Sequence, residues 1–408
     1  MKILLIHGVH FPAGGADKVY LNTGELLEKY GHKVIYFSFK NKKNIYCSQE
    51  KYFLDEPSKF RVFLNMFFNK QAAKKIEQLI RDEKPDIAHL HSFWSGLTPS
   101  ICIVLRKYNI PIVHSVHDYN LICPVTTSMD YNGNICEECM GKFFYKCIFK
   151  RCFKGSLIKS FILASALFFR LKFYNPIQLI DGFVFVSWFS YNQHLKYMPN
   201  LNKSDTIVLY NFNPITPKTK VDKYSRKYFL YLGRLSHEKG LLTLIMAFSR
   251  LKDVKLKIVG KGPQETFLKD TVYKTDINNI EFVGFKSGDE LKSIISNASF
   301  NIVPSEWWEN NPLSIIEAYS VGVPVIGAKI GGIPEIIADG ETGYLFEMKN
   351  VDHLTRVINK ANSLSTEEYI TMSNNAVKFA LDKFSKEQYA NILVDFYKKM
   401  IQKIKNYS

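Results

Sequence analysis

Two glutamates in an apolar part of the chain have the residue type and spacing to bind hydroxyl groups. Glu309 and Glu317 are separated by seven residues within VPSEWWENNPLSIIEAYSVGVPVIG, residues 303–327. Proline is favoured at the first position of a helix, because its missing N–H costs nothing there. Pro312 therefore predicts that Glu309 lies in a loop and Glu317 in the following helix. A carboxylate accepts two hydrogen bonds and suits vicinal hydroxyls, those of a ribose for one glutamate and of a sugar ring for the other. The alternative is that Glu317 only caps the helix or forms an ion pair on an exposed face.

Two basic residues earlier in the chain could hold the negative charge of a diphosphate. In YLGRLSHEKG, residues 231–240, Arg234 follows a predicted strand and Lys239 begins the next helix. A helix N-terminus beside a guanidinium and an ammonium group suits a diphosphate, and the alternative is a solvated surface pair. After a later strand, Gly331 and Gly332 would let the backbone approach a ligand closely.

Alternating strands and helices are expected to position these residues. A chain of 408 residues with 46% hydrophobic content predicts two globular domains rather than one. Strand and helix patterns alternate on both sides of the polar segment 211–227, which is typical of parallel sheets with crossover helices. The prediction is an α/β protein with two doubly wound, Rossmann-like domains facing across a cleft, with ligands at the carboxyl ends of the strands. The predicted boundaries are 1–212 and 213–384 for the two domains and 385–408 for a final helix that returns to the first.

Taken in order, these motifs resemble the large retaining glycosyltransferase family 4. The resemblance rests on a Gly-Gly loop after the first strand, GRLSHEKG, the two glutamates, EAYSVGVPVIG and GGIPEIIADGETGYLF. It spans nearly the whole chain and is strongest between residues 228 and 346. It implies the GT-B fold, with an N-terminal domain on the acceptor side and a C-terminal domain that binds a nucleotide-sugar, a UDP- or GDP-sugar.

For the C-terminal domain, the resemblance implies a role for each matching side chain. Glu317 would hold the ribose and Glu309 would contact the donor sugar. Arg234 and Lys239 would neutralise the diphosphate leaving group, and preorganised charge of this kind is usually the largest catalytic contribution.

For the N-terminal domain, the resemblance implies a glycine loop and a histidine. Gly14 and Gly15 of PAGGADK would approach the phosphates, and His117 of HDY would lie near the reacting sugar. His117 would then polarise or hydrogen-bond rather than act as a general base, although a histidine at a strand end is often structural. The family's retention of configuration implies front-face attack in which the departing phosphate helps to deprotonate the acceptor. No enzymatic nucleophile and no catalytic metal are expected.

The chain departs from the family's pattern directly after the first glutamate. Many members have Gly-Phe-Gly there, whereas this chain has Asn310, Asn311, Pro312 and Leu313. Pro312 offers no N–H to a sugar, and the side-chain amide of Asn310 or Asn311 could replace that donor. Asn310, Asn311 and Leu313 are predicted to contact the nucleotide-sugar, and the departure bears mainly on the identity of the sugar.

The resemblance predicts a retaining hexosyltransferase with a lipid-linked or saccharide acceptor. Such an enzyme would act in the biosynthesis of a bacterial polysaccharide, an O-antigen, capsule or exopolysaccharide. The alternatives are a GT-B enzyme of another class, such as a nucleotide-sugar epimerase or a phosphorylase-like enzyme, and a non-catalytic sugar-nucleotide-binding protein. A phosphorylase would need a pyridoxal-binding lysine, which no motif identifies, and an epimerase would need no acceptor.

Five of the seven cysteines lie close together, in an insertion predicted to span residues 123–155. Two of them have the two-residue spacing of zinc ligands, and neighbouring cysteines could complete a tetrahedral set. The predicted ligands of a structural zinc are Cys123, Cys136, Cys139 and Cys152, with Cys147 as an alternative fourth. Free thiols are the alternative, and disulfides are not expected in the cytosol.

Residues 142–172 combine basic and aromatic residues without an acidic one. The basic residues are Lys142, Lys146, Lys150, Arg151, Lys154, Lys159, Arg170 and Lys172, and the phenylalanines are Phe143, Phe144, Phe149, Phe153, Phe161, Phe168 and Phe169. Such a stretch is typical of binding to an anionic membrane surface, and the net charge of +16 also indicates an anionic partner. The alternative is that the phenylalanines are core and the lysines a solvated face.

Targeting signals and nucleic-acid motifs are not apparent in the sequence. The start, MKILLIHG, predicts a first strand rather than a signal peptide. The sequence contains no run of eighteen apolar residues, so no membrane-spanning helix is predicted. No recognition helix, RRM or OB motif indicates nucleic acid. The expectation is a cytoplasmic protein that attaches peripherally to the inner face of the cell membrane.

Overall fold

A computed structural model of the protein divides into two compact units. Unit 1 comprises Met1–Tyr210 together with Lys386–Ser408, and unit 2 comprises Asn211–Ser385. The structure describes residues 1–57, 62, 64–93, 96–97, 99–141, 143–213 and 227–407. Most of the predicted linker, 214–226, therefore lies outside the described residues.

Unit 1 is built on a six-stranded parallel sheet with the strand order β2-β1-β3-β4-β5-β6. Its strands are β1 (Lys2–Ile6), β2 (Lys33–Phe37), β3 (Ile87–Leu90), β4 (Ile112–Val116), β5 (Gly182–Phe185) and β6 (Asp205–Val208). The strand β5, with the sequence GFVF, is buried at all four positions, as expected for a parallel strand covered on both faces. The strands β1, β3 and β4 are adjacent, and their carboxyl ends lie along one edge.

The helices of unit 1 connect these strands. They are α1 (Gly15–Lys29), α2 (Lys70–Glu83), α3 (Ser100–Lys107), α4 (Tyr145–Phe149), α5 (Leu157–Phe173), α6 (Pro176–Leu179) and α7 (Trp188–Tyr197). Side-chain oxygens cap the first turns of α2, α5, α6 and α7, where backbone N–H groups have no partner within the helix. The capping residues are Asn69, Ser156, Asn175 and Ser187. Short 3₁₀ turns occur at Glu50–Tyr52 and Pro199–Lys203.

Unit 2 repeats this architecture with the strand order β12-β11-β10-β7-β8-β9. Its strands are β7 (Phe229–Leu232), β8 (Leu256–Val259), β9 (Ile280–Gly284), β10 (Asn301–Val303), β11 (Val325–Ala328) and β12 (Gly343–Phe346). Its helices are α8 (Leu241–Phe248), α9 (Glu265–Lys274), α10 (Gly288–Ser296), α11 (Leu313–Ser320), α12 (Ile333–Ile336), α13 (Val351–Asn362) and α14 (Thr366–Lys383). The core includes Phe229, whose ring contacts the rings of Phe248 and Phe300. The predicted pair of doubly wound α/β units is confirmed.

The last helix of the chain, α15 (Lys386–Tyr407), belongs to unit 1. The Tyr397 hydroxyl lies 2.6 Å from His89 Nδ1 in β3, and Lys403 Nζ lies 2.6 Å from Asp205 Oδ2 in β6. Unit 1 is therefore assembled from two separate stretches of the chain. No helix within the described ranges is both long and apolar enough to cross a bilayer.

Candidate active site

Lys239 and Glu309 form a largely buried ion pair in unit 2. Lys239 Nζ lies 2.5 Å from Glu309 Oε1, and the exposed fractions of the two side chains are 21% and 8%. Ser305 Oγ donates a hydrogen bond to the same carboxylate oxygen at 2.7 Å, and the ammonium group lies 5.0 Å from the centre of the Trp307 ring. Because an unpaired charge in the protein interior is costly, the contacts with Lys239 and Ser305 hold the Glu309 carboxylate in place.

Arg234 is also paired with a carboxylate, but its side chain is 65% exposed. Its Nη2 lies 2.6 Å from Glu238 Oε1, and Ser236 Oγ donates to the same oxygen at 2.6 Å. Burial alone would raise the pKa of Glu238, but hydrogen bonds, led by that from Ser236, outweigh it and lower this pKa below its usual value. The exposed guanidinium of Arg234 is therefore accessible to an anionic ligand, whereas the Glu238 side chain is only 15% exposed.

A tight turn places Lys239 in position. It is the last residue of a 3₁₀ turn, His237–Lys239, and Gly240, the residue before α8, has a φ of +68°. A Cβ atom on Gly240 would lie 1.9 Å from the carbonyl oxygen of Pro304. Both the left-handed backbone and this close approach require glycine at position 240. The sequence predicted that Lys239 begins the helix. In the structure it lies just before α8.

The loop after β11 holds the backbone of Glu309. Gly331 has a φ of +60°, and a Cβ atom there would lie 2.2 Å from the Glu309 carbonyl oxygen. The N–H of Gly332 donates a hydrogen bond to that oxygen at 2.7 Å. The two glycines were predicted to approach a ligand, and the structure shows that they approach the glutamate itself.

The residues after Glu309 differ in their contacts and exposure. The helix α11 begins at Leu313, one residue later than predicted, and Glu317 lies partly exposed in its second turn. Asn311 is buried, and its Oδ1 accepts a hydrogen bond from the N–H of Asn211 at 2.8 Å. Asn311 therefore anchors the first residue of unit 2. Its Nδ2 is buried and has no hydrogen-bond partner within the described ranges.

Three adjacent strands supply the site residues of unit 2. Arg234 follows β7, Glu309 follows β10 and Gly331 follows β11, and β10 lies between β7 and β11 in the sheet. Glu306, also after β10, is buried and accepts a hydrogen bond from Thr243 Oγ1 at 2.6 Å. Ligands of doubly wound sheets bind at this edge. Sequence reasoning missed Glu306, although its place three residues before Glu309 could have indicated it.

Unit 1 has a corresponding row of histidines. His7, His91 and His117 each come directly after a strand, namely β1, β3 and β4, which are adjacent in the sheet. Of these, only His117 was predicted as a site residue. The sequence shows a histidine after each of these strands, but it does not show that the strands are adjacent.

His7 is held in one tautomer next to the glycine loop. Its Nδ1 accepts the N–H of Ser92 at 3.0 Å, so its proton lies on Nε2, which is 2.7 Å from Asp17 Oδ1. Gly14 precedes α1, and Gly15 is its first residue. A Cβ atom on Gly15 would meet nothing within 4 Å, so packing within unit 1 does not explain a glycine there.

His117 is hydrogen-bonded to a second imidazole. His91 Nδ1 lies 2.9 Å from His117 Nε2, and burial, followed by the nearby His7 and His114 rings, lowers the pKa of His117 to about 3. Both rings are neutral at pH 7, since burial also lowers the pKa of His91. His91 Nε2 is buried and lacks a partner among the described residues, and an orphaned N–H is the less favourable state. This assigns the donated proton to His91 Nδ1, and it leaves the proton of His117 on its own Nδ1.

The cysteine-rich segment brings several thiols together. The N–H of Cys147 donates to Cys139 Sγ at 3.1 Å, and a hydrogen bond from Cys147 lowers the pKa of Cys152. Burial raises the pKa of Cys123 to about 12. The structure contains these cysteines, and Cys136, as free thiols. In the part of the chain that is described, no three His, Cys, Asp or Glu side chains are placed to hold a metal ion. The zinc site formed by Cys123, Cys136, Cys139 and Cys152, or by Cys147 in place of one of them, therefore stays a prediction.

Family models match both units of the chain. The model described as Glycosyltransferase Family 4 matches residues 13–212, and the model described as Glycosyl transferases group 1 matches residues 215–379. With its two Rossmann-like units, the protein is a glycosyltransferase of the GT-B fold. It belongs to glycosyltransferase family 4.

Individual proteins of known sequence or structure are also similar to the chain. A lipopolysaccharide 1,2-N-acetylglucosaminetransferase of Salmonella typhimurium is 32% identical over 174 residues, which are 40% of this chain and 45% of that protein. The chain spans about half or less of the length of the first curated relatives it matches.

Two solved structures have the same fold over the whole length. Sucrose-phosphate synthase from Thermosynechococcus elongatus has a TM-score of 0.74 at 18% identity and covers 98% of this chain and 99% of its own. Anabaena HepE in complex with UDP-glucose has a TM-score of 0.69 at 17% identity and covers 98% of this chain and 100% of its own.

Proposed function

We propose that the protein transfers a hexosyl group from a nucleoside-diphosphate sugar, a UDP- or GDP-sugar, to a saccharide or lipid-linked acceptor with retention of configuration. The observation that carries this proposal is the Lys239–Glu309 pair, held at 2.5 Å at the carboxyl edge of the unit 2 sheet. The structurally similar HepE is named as a complex with UDP-glucose, which supports a donor of this class.

The two cations would act on the leaving group. Breaking the bond between the sugar and the diphosphate leaves negative charge on the phosphate and positive charge on the sugar ring. Arg234 and Lys239 would stabilise that phosphate charge, and their own paired carboxylates keep both cations oriented before the donor binds. Glu309, which keeps one carboxylate oxygen outside its contacts with Lys239 and Ser305, would contact the sugar hydroxyls.

The remaining contacts follow the same chemistry. Glu317 would hold the ribose hydroxyls, and Asn310, Asn311 and Leu313 would contact the donor. The leaving phosphate would take the proton of the acceptor hydroxyl as the new glycosidic bond forms on the same face of the sugar. No side chain of the protein is then covalently attached to the sugar.

Unit 1 would contribute its glycine loop and its neutral histidine. Gly14 and Gly15 would approach the phosphates with their N–H groups. His117, neutral at pH 7, would lie near the reacting sugar as a polariser or hydrogen-bond partner and would take no proton from the acceptor. These are the roles that the sequence predicted for Gly14, Gly15 and His117.

The acceptor is proposed from the kind of relative that the chain resembles. One relative is named as a lipopolysaccharide N-acetylglucosaminetransferase, which supports a role in the assembly of a bacterial cell-surface polysaccharide such as an O-antigen, capsule or exopolysaccharide. We propose that this assembly takes place at the inner face of the cell membrane, where a lipid-linked acceptor would be anchored.

Alanine substitutions of the two cations test the proposed function. Lys239→Ala and Arg234→Ala should each lower kcat by on the order of a hundredfold, because preorganised charge at the leaving group is lost. Lys269→Ala is a matched control, since Lys269 also forms an ion pair in unit 2, with Glu265 at 2.7 Å. Donors would first be found by thermal shift with a panel of nucleotide-sugars. Near-normal turnover in either site variant would contradict the phosphate assignment, and donor binding without turnover in the wild type would indicate a non-catalytic binder.

A further inference from the structure

The basic, aromatic segment forms two helices with several apolar side chains exposed to solvent. They are α4, residues 145–149, and α5, residues 157–173, joined by a turn. Of the basic residues noted in the sequence, Arg170 is buried and donates to Asn120 Oδ1 at 2.9 Å, so it is not part of any basic surface. Lys142 lies outside the described residues. The six others are exposed: Lys146, Lys150, Arg151, Lys154, Lys159 and Lys172.

The phenylalanines divide between core and surface. Phe144 is buried, but Phe143 and Phe149 are 69% and 74% exposed, and Ile158 is 71% exposed. Tyr145, Leu157, Phe161, Phe168 and Phe173 are also exposed. The alternative that the phenylalanines are all core is therefore wrong for Phe143, Phe149, Phe161 and Phe168. We call the exposed side chains of residues 143–173 the α4–α5 surface.

On α5 the exposed apolar residues follow the helical period. Leu157, Phe161 and Phe168 lie at spacings of four and seven residues, which places them along one side of the helix. Another side of the helix, with Leu167 and Arg170, is buried within unit 1. A helix on the surface of a globular protein normally turns a polar side to water, so the exposed side of α5 needs an apolar partner.

Charge indicates what kind of partner covers this surface. Glu138 pairs with Lys150 and lies 3.2 Å from Lys146, so its single negative charge offsets one of these two lysines. Arg151, Lys154, Lys159 and Lys172 add four further positive charges. Exposed apolar side chains flanked by basic ones match the interface of an anionic bilayer, where rings enter the headgroup region and cations contact the lipid phosphates.

We propose that the α4–α5 surface binds the protein to an anionic lipid bilayer, with Phe143, Phe149, Ile158 and Phe161 entering the headgroup region. A second copy of the chain is a poorer occupant, because a two-fold contact would set the same four positive charges against one another. This proposal deepens the membrane location proposed above, but it does not depend on sugar transfer, since lipid binding can be measured without a donor.

Co-sedimentation with vesicles tests the proposal on the full-length protein. Vesicles of phosphatidylglycerol and phosphatidylcholine should bind the wild type, and vesicles of phosphatidylcholine alone should bind it much less. Raising the salt from 0.1 M to 1 M should weaken binding without abolishing it, because the Debye length shrinks from about 10 Å to about 3 Å while the apolar contacts persist.

Two variants separate charge from insertion. Replacing Arg151, Lys154 and Lys159 by Gln should lower the partition coefficient by about a hundredfold, because each basic residue near an anionic surface contributes about a factor of five. Phe149→Ser with Ile158→Ser should weaken binding and make it more sensitive to 1 M salt than that of the wild type, because only Phe143 and Phe161 of the four inserting side chains remain.

Matched controls lie in unit 2. Lys252, Lys255 and Lys274 are exposed and can be replaced by Gln, and the exposed Tyr273 and Phe285 can be replaced by Ser. These variants should bind vesicles like the wild type, and all variants should keep the thermal shift with a nucleotide-sugar.

Three results would overturn the proposal. The first is a wild type that ignores anionic vesicles at low salt, and the second is an equal loss of binding in the control variants. The third is a concentration-dependent dimer that the Phe149→Ser, Ile158→Ser variant abolishes, which would make this surface an interface between copies. Loss of transferase activity with intact vesicle binding would concern the proposed function and not the α4–α5 surface.

Discussion

The contact between Gly331 and Glu309 allows a sharp test of how the candidate site is held. Gly331→Ala introduces a Cβ atom 2.2 Å from the carbonyl oxygen of Glu309, at a φ of +60°. Gly340→Ala is a matched control, because Gly340 also has a positive φ, +82°, but a Cβ atom there meets nothing within 4 Å. Both variants carry the backbone strain, and only the first also displaces the glutamate.

The expected magnitudes follow from these two contributions. A left-handed conformation costs an L-residue about 1–2 kcal/mol, so both variants should be less stable than the wild type by this amount. For Gly331→Ala, relief of the overlap adds about 1–3 kcal/mol and moves the Glu309 backbone by about 1 Å. A misplacement of that size near the reacting atoms can cost about a hundredfold in rate. Gly340→Ala should keep its activity.

Thermal unfolding and steady-state kinetics together provide the assay. At about 2–4 °C per kcal/mol for a unit of this size, Gly331→Ala should lower Tm by several degrees more than Gly340→Ala, and only Gly331→Ala should lose kcat. Equal Tm values and equal activities in the two variants would refute the reasoning, because the backbone of Glu309 would then tolerate displacement.

Three further predictions concern unit 1. If the cysteine-rich segment binds zinc, purified protein should contain about one equivalent by elemental analysis, and the double variant Cys136→Ser, Cys139→Ser should lose both the metal and the protease resistance of that segment; metal-free wild type with full resistance would contradict this. Burial lowers the pKa of His114 to about 4, so as the pH falls below about 6.5 the unfolded chain takes up a proton that the folded unit does not. The contribution of this histidine to the free energy of unfolding should then drop by about 2 kcal/mol between pH 7 and pH 5. Urea unfolding curves that coincide at pH 7 and pH 5 would contradict this prediction. His91→Phe should change the tautomer of His117 in ¹⁵N NMR spectra and lower kcat more than it raises KM, and an unaltered tautomer would show that His91 does not position that ring.

The sequence predicted the strands and the types of site residue better than it predicted their contacts. Glu309 and Lys239 were both predicted as site residues, because each lies after a recognisable strand. Their ion pair joins residues seventy positions apart, and local spacing carries no information about such a contact. Gly331 shows the same limit, since a Gly-Gly pair indicates a close approach but not which group is approached.

Buried charges and rows across a sheet were harder to predict from the sequence. Arg170 lies in a basic run and so seemed exposed, yet its hydrogen bond to Asn120 lets it lie in the interior, where burial lowers its pKa to about 10. His7 and His91 become neighbours only when the strand order is known. Strand order depends on crossover connections over the whole unit, and a single strand motif does not contain it.

The membership of α15 in unit 1 has a consequence for the order in which the chain can fold. Unit 2 is one continuous stretch, Asn211–Ser385, whereas unit 1 needs Lys386–Ser408. During synthesis, therefore, the complete sequence of unit 2 leaves the ribosome before unit 1 has all its parts. Until then His89 in β3 lacks its contact with Tyr397, a residue 308 positions later, and the sheet surface under α15 stays uncovered. A nascent chain stalled before residue 386 should thus hold a native unit 2 and an incomplete unit 1 that is open to chaperones and proteases.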